Sequence, residues 1–365
     1  MSSYGVLFGG PSPEHDVSIL TGLQAAAELV RAGEQVEAIY WTKDGRFLSV
    51  DPLGEGEAYL EGPPRGAEEL KLELGANAGF TRSGRLGRSQ IVALDGLVLA
   101  THGGPGEDGS LQGALGLADV PYTGPSVAGA ALGMDKLAFA AVVEGAGLPT
   151  LPRVALTASS EDPGFEGPYI VKPRFGGSSI GIDVVEDLAT AKARLSSNVH
   201  LSAGAVLEPY RPDLADVQVA VRAYPEAQVS AIERPLRGGG GILGYQDKYI
   251  GGQGMASAPR ELPATLPAAI EQVVRSSAAI LIEAALVRGV ARIDFLANDD
   301  EVYVNEVNTI PGSLARYLWI SPAVPFATLL SDMLAEAKAR PARPSSAGAD
   351  GTVLRSAGSI ASKLA

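Results

Sequence analysis

Apolar and polar positions repeat with two different periods along the first 40 residues, and these periods predict a strand, a helix and a second strand. The apolar run YGVLFGG is stopped by glycines, as expected of a buried strand. A helical period follows over SILTGLQAAAELVRAG and ends at Gly33, after which EQVEAIYWT returns to a strand pattern. This order predicts a parallel sheet of the doubly wound type.

The pattern changes further along the chain and divides it into units. Residues from about 50 to 90 are rich in glycine, proline and charge without clear periodicity, which predicts a peripheral excursion before SQIVALDGLVLATHGG returns to the sheet. A second unit begins near Gly124, with one helix expected over SVAGAALGMDKLAFAAVVEGAG and two strands joined by a glycine loop over PYIVKPRFGGSSIGIDVVED. A third unit contains a long helix at 266–288 and the strands ARIDFLA and EVYVNEVNT, and RPARPSSAGADG is typical of a linker. The predicted domains are 1–124, 125–209 and 210–340, with a tail at 341–365.

Composition restricts the classes of function. A chain of 365 residues with 46% hydrophobic and 19% charged residues is typical of a globular protein with two or three domains. The net charge of −13 argues against nucleic acid as a partner, because phosphate backbones attract basic surfaces. Without cysteine there are no disulfides or thiolate sites, and three histidines make a zinc cluster an unfavoured interpretation. No signal peptide and no apolar run of about 18 residues is present, so we expect a cytoplasmic protein without a membrane partner.

The segment RIDFLANDDEVYVNEVNT carries the strongest chemical pattern. Alternate residues of a strand share a face, so Arg292 and Asp294 project together, as do Glu306 and Asn308 on the next strand. Two carboxylates and an amide oxygen suit Mg²⁺, which commonly bridges to substrate phosphates. The alternative is a solvated sheet face with incidental ion pairs. The turn TIPG directly after Asn308 suits a binding site better than a solvated strand, and therefore favours the metal-site interpretation.

Two glycine-rich segments predict further parts of a site. In YIVKPRFGGSSIG, Lys172 ends an apolar strand, and the small residues that follow, among them Ser178, allow backbone N–H groups to approach phosphate oxygens. The alternative there is a simple hairpin with a glycine turn. In GGPSPEHDVS, Glu14 and His15 follow a strand, and the alternative is that these side chains only cap a helix.

A third glycine-rich segment, HGGPGEDGSLQG, follows the predicted strand LDGLVLAT at the edge where ligands bind in such sheets. This segment resembles the first signature of the D-alanine:D-alanine ligase family of the ATP-grasp superfamily, and RIDFLANDDEVYVNEVNTIPG resembles its second. The resemblance covers about residues 4 to 335 in family order, including FGGPSPEHDVS, PYTGPSVAGAALGMDK, VKPRFGGSSIG and DKYIGGQGMASAP. It implies an α/β fold, α+β overall, in which an N-terminal doubly wound parallel-sheet domain joins two further α+β domains that clasp ATP.

The resemblance also implies an activity and roles for single residues. ATP would phosphorylate the carboxylate of one D-alanine, and the amine of a second would attack this D-alanyl phosphate, giving D-alanyl-D-alanine for peptidoglycan precursors. The residues implied to contact ATP are Lys136, Lys172, Glu208 near the adenine, Asp216 near the ribose, and Lys248. Two Mg²⁺ ions, with Mn²⁺ as a substitute, would be held by Asp294, Glu306 and Asn308.

The remaining implied roles concern the amino acid substrates. Glu14 and His102 would orient the first D-alanine, and Arg292 with the Gly312 N–H would stabilise the oxyanion. Ser178, Tyr249 and Glu14 would hydrogen-bond to one another and latch the loop around Lys248. Family members are expected to be homodimers.

Two departures from the family pattern leave alternatives open. Pro209 follows Glu208 where a lysine is common, and Tyr317 stands where a serine usually receives the acceptor carboxylate. We expect Lys248, with Ser313 or the N–H groups after Pro311, to bind that carboxylate, and the alternative is that Ser321 takes the serine's role. Other open interpretations are a ligase for D-serine, D-lactate or another amino acid, or a nucleotide-binding regulatory homologue. The intact metal positions and Arg292 argue against the last of these.

Overall fold

A computed structural model describes the chain over residues 2–76, 78–84, 88–236, 259–340 and 347–356. The amino-terminal part forms a seven-stranded sheet with the order β6-β5-β4-β3-β2-β1-β7. Its strands are β1 (Ser3–Gly9), β2 (Gln35–Trp41), β3 (Phe47–Val50), β4 (Glu68–Glu73), β5 (Gly79–Ser83), β6 (Ser89–Ile91) and β7 (Gly96–Leu99). Strand β1 pairs in parallel with β2 and β7, whereas β2 to β6 pair antiparallel in succession. Strands β4 to β6 therefore extend the sheet, which differs from the peripheral excursion predicted for residues 50–90.

Helix α1 (His15–Arg31) confirms the first predicted helix and fixes the edge of the sheet where the site lies. Its buried positions, among them Ile19, Leu23 and Ala26, recur every three or four residues and pack on the sheet. The helix ends before Gly33, which has a φ of +87°, a conformation that glycine adopts without strain. The carboxyl ends of β1 and β7 thus lie beside the start of α1.

The central part begins with two helices where the sequence predicted one. Helices α3 (Val127–Met134) and α4 (Lys136–Gly145) are separated by Asp135, which has an extended backbone and accepts hydrogen bonds from the N–H groups of Leu137 and Ala138. Short helix α2 (Ser110–Leu117) precedes them. An aspartate cap therefore breaks the apolar run, because it satisfies the first N–H groups of α4.

A four-stranded antiparallel sheet with the order β10-β9-β11-β8 completes the central part. Its elements are β8 (Val154–Leu156), β9 (Tyr169–Pro173), β10 (Asp183–Val185), α5 (Leu188–Ser197) and β11 (Ala205–Pro209). Strands β9 and β10 confirm the two strands predicted around the glycine loop. The glycine loop between β9 and β10 faces the sheet of the third part, described next, and the candidate site lies between them.

The third part contains a second four-stranded sheet with the order β13-β12-β16-β17. Its strands are β12 (Ala215–Arg222), β13 (Gln228–Val229), β16 (Val290–Ala297) and β17 (Val302–Asn308), and a small sheet pairs β14 (Arg234–Pro235) with β15 (Arg260–Glu261). The helices are α6 (Ala268–Ala284), α7 (Phe326–Ala339) and α8 (Thr352–Ser356). Helix α6 lies within the predicted range 266–288.

The cores of these parts interlock. Phe139 and Val143 of α4 pack with β12, β16 and α6, and Leu330 and Leu334 of α7 pack in the core of the amino-terminal sheet. Helix α4 thus packs on the third part and α7 on the first sheet, while the central sheet has a core of its own. A common cleft lies where the three larger sheets meet. No helix in the described ranges has both the length and the apolar character needed to span a membrane.

Candidate functional site

Two adjoining cavities lie in this cleft, where the β1 and β7 edge, the glycine loop after β9 and the hairpin β16–β17 meet. The first cavity is lined by predicted residues, namely Glu14, His102, Ser178, Arg292, Asn308, Gly312 and Tyr317. The second is lined by Lys172, Glu208, Asp216 and Asp294. Both share Lys136 and Glu306. The fold thus brings together predicted residues from every part of the chain, while Lys248 and Tyr249 lie outside the described residues.

The hairpin β16–β17 has the predicted geometry. Arg292 lies opposite Asn308, and Asp294 lies opposite Glu306. The Arg292 guanidinium donates to both carboxylate oxygens of Asp294, at 2.6 and 2.7 Å, and the Asn308 amide donates to the same carboxylate at 3.1 Å. The four side chains therefore form one polar cluster on the floor of the cleft.

This cluster also bears on metal binding. In the described ranges, no group of three or more histidine, cysteine, aspartate or glutamate side chains could hold a metal ion. A divalent ion here would depend on two carboxylates, Asp294 and Glu306, on the Asn308 amide oxygen and on oxygens of its ligands. That donor set fits Mg²⁺, which binds few protein carboxylates and shares the rest of its shell with phosphates and water.

The second cavity contains a buried charge network around Glu208. Its carboxylate accepts from Lys172 Nζ at 2.8 Å and from Arg153 Nε at 2.6 Å. Burial alone would raise the pKa of Glu208, but the two cations outweigh it and lower this pKa to about 2. Arg153 also donates to the carbonyl oxygens of Lys136 and Asn305, at 2.8 and 3.1 Å. Glu208 is therefore an ionised, rigidly held carboxylate.

Lys136 lies where the two cavities meet. Its ammonium donates to the Gly176 carbonyl oxygen in the glycine loop. Burial lowers the pKa of Lys136, and the Glu306 carboxylate opposes this shift. The lysine thus connects the glycine loop to the polar floor of the cleft.

The Glu14 carboxylate is enclosed by two loops. Ser178 donates to it from the glycine loop, with a φ of +53°. A Cβ atom added at Gly103 would lie 2.5 Å from Glu14 Oε2, and one added at Gly177 would lie 3.2 Å from it. Glycine at both positions therefore lets the loops close on this carboxylate.

A buried hydrogen-bond chain ties the segment HGGPGEDGSLQG to the turn after β17. Thr21 Oγ1 lies 2.8 Å from His102 Nε2 and accepts the Ser313 N–H at 3.0 Å. Glu107 accepts the Ile310 N–H at 3.0 Å. Burial lowers the pKa of His102 to about 4, whereas burial together with the nearby Glu14 charge raises that of Glu107 to about 7. These hydrogen bonds hold the backbone at Ile310 and Ser313, on either side of Gly312.

The turn after Gly312 has an unusual backbone. Ser313, Leu314 and Ala315 have φ values of +51°, +49° and +48°, in the left-handed region that costs free energy for residues other than glycine. Leu314 and Ala315 are fully buried, so packing compensates for this cost. Tyr317 then reaches the first cavity, whereas Ser321, the alternative to it, is exposed.

Thr21, Arg153 and Arg260 are residues of the site that the sequence does not indicate, and for Glu107 the sequence suggests only a role in holding its loop. The signal for Glu107 was its place in HGGPGEDGSLQG, but the other three lie among ordinary residues. Only the tertiary packing shows that Thr21 and Arg153 are buried at the cleft.

Comparisons with known proteins agree with this geometry. Sequence profiles described as D-ala D-ala ligase N-terminus and D-ala D-ala ligase C-terminus match residues 3–125 and 126–335. A D-alanine–D-alanine ligase from Bradyrhizobium sp. (strain ORS 278) is 32% identical over 354 residues, which cover 93% of this chain and 95% of the relative.

Solved structures show the same fold. The D-alanine-D-alanine ligase from Helicobacter pylori has a TM-score of 0.72 and 24% identity, over 94% of this chain and 100% of that one. The VanG D-Ala:D-Ser ligase from Enterococcus faecalis has a TM-score of 0.73 and 23% identity, over 92% and 99% of the two chains. The matching profiles and the arrangement of the cleft lead to one conclusion: the chain belongs to the D-alanine–D-alanine ligase family and has an ATP-grasp fold.

Proposed function

We propose that this chain is an ATP-dependent ligase that joins two D-alanine molecules for peptidoglycan precursor synthesis. The observation that carries the proposal is the junction of the two cavities at Lys136 and Glu306. A nucleotide in the second cavity would direct its terminal phosphate to this junction, where a carboxylate substrate in the first cavity could reach it. Ligation through an acyl phosphate requires this arrangement.

The reaction balances with the substrates alone. A carboxylate oxygen of the first D-alanine attacks the γ-phosphorus of ATP, and ADP leaves. The amine nitrogen of the second D-alanine attacks the acyl carbon, phosphate leaves and the amine loses a proton. The products are ADP, phosphate and D-alanyl-D-alanine.

The second cavity supplies the nucleotide contacts. Lys136 and Lys172 would contact the phosphates, Glu208 the adenine and Asp216 the ribose. A divalent ion held by Asp294, Glu306 and Asn308, Mg²⁺ or in its place Mn²⁺, would neutralise phosphate charge. Because Lys172 and Arg153 hold Glu208 in place before ATP binds, little side-chain freedom would be lost on binding.

The first cavity supplies the contacts to amino acids. Glu14 would face the ammonium of the first D-alanine, with His102 supporting the same wall, and Arg292 and the Gly312 N–H would stabilise the oxyanion. Closure by the loop of Lys248 and Tyr249, latched through Ser178 and Glu14, would exclude water from the acyl phosphate. We further propose domain boundaries near 124 and 209 and a cytoplasmic location, as the sequence pattern predicts, and a homodimer, as the family resemblance implies.

The test is ADP release with Mg²⁺ in the presence and absence of D-alanine, with mass detection of the products. We expect D-alanine to increase ADP formation at least tenfold over the basal rate and to give the dipeptide, while L-alanine serves as the control amino acid. D-Serine and D-lactate are offered with D-alanine in parallel mixtures, because Tyr317 favours examining other acceptors. Folded protein that releases no ADP in response to D-alanine would refute the proposal.

Thr21 offers a second test of the cleft, because its hydroxyl positions the turn that contains Gly312. We expect Thr21→Val to lower kcat about tenfold, since a partly buried Ser313 N–H then loses its acceptor and the turn shifts. Thr21→Ser should restore most of the activity, and KM for ATP should stay within about twofold. Thr123→Val is the matched control, because Thr123 Oγ1 also accepts one buried N–H, that of Leu99. Equal losses of kcat in Thr21→Val and Thr123→Val would indicate a general effect of folding.

A further inference from the structure

The first cavity contains a cation that no sequence motif indicates. Arg260 lines this cavity together with Tyr317, and its guanidinium carbon lies 4.9 Å from the centre of the Tyr317 ring. Its Nη1 donates to Glu233 Oε1 at 2.9 Å. The Arg260 and Glu233 side chains are 15% and 5% exposed, so the pair is held inside the cavity wall.

Tyr317, the Arg260–Glu233 pair and Arg292 of the proposed reacting centre all line the first cavity. Burial raises the pKa of Tyr317, which keeps the phenol neutral at pH 7. The ring thus offers a flat, uncharged face on which a guanidinium stacks.

The carboxylate of an amino acid acceptor needs a polar partner in the first cavity. An amino acid that attacks with its amine near Arg292 and Gly312 must place its carboxylate further along the cavity. A guanidinium has five N–H groups in one plane, which suits two-point contact with a carboxylate while Glu233 and the Tyr317 ring fix its orientation. A serine hydroxyl, the usual family group at position 317, would supply a single neutral hydrogen bond.

We propose that Arg260, stacked on Tyr317 and oriented by Glu233, binds the acceptor carboxylate and selects acceptors that carry one. This inference depends on the proposed ligase function. The nearby wall formed by Pro235, Leu236 and Pro259 is apolar, so the acceptor class is a small amino acid with a short apolar side chain. Arg260 would then act as a specificity-determining residue, together with the contacts expected of Lys248.

Competition between two acceptors in one mixture tests the inference. Wild type and variants receive ATP, Mg²⁺, D-alanine and D-alaninamide, which lacks the carboxylate, and the acid and amide dipeptides are quantified by mass spectrometry. We expect Arg260→Met to shift the product ratio about 10- to 100-fold toward the amide, the effect of losing a charged hydrogen bond. Because the ratio is internal, partial loss of folded protein does not change it.

Other variants complete the experiment. Arg260→Lys keeps the charge without the planar guanidinium and should shift the ratio at least threefold, so the series can be evaluated even if Arg260→Met does not fold. Arg234→Met is the matched control, because Arg234 pairs with Glu261 on the neighbouring strand, and its ratio should equal that of wild type.

The outcomes separate the two proposals. A ratio in Arg260→Met within twofold of wild type would overturn the role of Arg260. A shift in Tyr317→Phe as large as that in Arg260→Met would overturn it in favour of the tyrosine hydroxyl. Wild-type protein that forms neither product and releases no ADP with D-alanine would instead refute the ligase function.

Discussion

Arg292→Ala is expected to lower the turnover of D-alanine about 10²- to 10³-fold, the usual effect of removing one oxyanion donor. In the proposed reaction, negative charge develops on the acyl oxygen beside this guanidinium only as the amine attacks. ATP binding should change little, because the proposed nucleotide contacts Lys136, Lys172 and Glu208 line the other cavity. The measurements are kcat from ADP formation and the Kd of a fluorescent ATP analogue.

The contacts of Arg292 determine the controls. It donates two hydrogen bonds to Asp294, so Arg292→Ala also releases a buried carboxylate that is a proposed metal ligand. Arg292→Lys retains the positive charge but not the guanidinium that donates to both Asp294 oxygens. It should lose less activity than Arg292→Ala. Arg222→Ala is the matched control for truncating a buried arginine, because Arg222 lies on β12 of the same sheet and pairs with Asp332 of α7. A change in kcat below about threefold in Arg292→Ala would show that Arg292 is not at the reacting centre.

The sequence predicted local features of the site well. Strand alternation placed Arg292 with Asp294 and Glu306 with Asn308, and the register of β16 and β17 confirms that these pairs share one face. This succeeded because both strands belong to one hairpin, whose pairing depends on near neighbours in the sequence. The family resemblance then linked this hairpin to Glu14 and the glycine loop, which local patterns could not do.

Contacts between distant segments could not be predicted from the sequence. The segment 50–90 has little periodicity because its antiparallel strands are short and partly exposed, yet they extend the first sheet. The helix break at Asp135 depends on a single capping side chain within an apolar run. Arg153 follows Pro152 just before strand β8, and only the packing of this segment beside β11 and β17 buries the Arg153 side chain against Glu208.

Glu208→Gln is expected to lower the free energy of unfolding by about 3 to 5 kcal/mol at pH 7, without nucleotide. The change leaves the buried cations Arg153 and Lys172 without their shared carboxylate, and the desolvation cost of both remains. Urea unfolding followed by circular dichroism measures the difference. Glu336→Gln is the control, because its buried carboxylate pairs with Arg340, whose side chain is 54% exposed and loses little solvation. Equal losses of unfolding free energy in both variants would mean that leaving Arg153 and Lys172 buried without a partner adds no cost.

The pH dependence of the same variant gives an independent check, because the pKa of Glu208 is lowered from 4.5 to about 2 in the folded protein. A depressed carboxyl pKa contributes stability above about pH 4.5 and loses that contribution as the pH falls toward 2. The stability difference between wild type and Glu208→Gln should therefore shrink steadily between pH 5 and pH 3. The double variant Arg153→Met/Glu208→Gln should be more stable than the sum of the single losses predicts, since one buried cation is removed with its partner. A constant difference across this pH range, together with additive losses, would show that Glu208 is not ionised against Arg153 and Lys172.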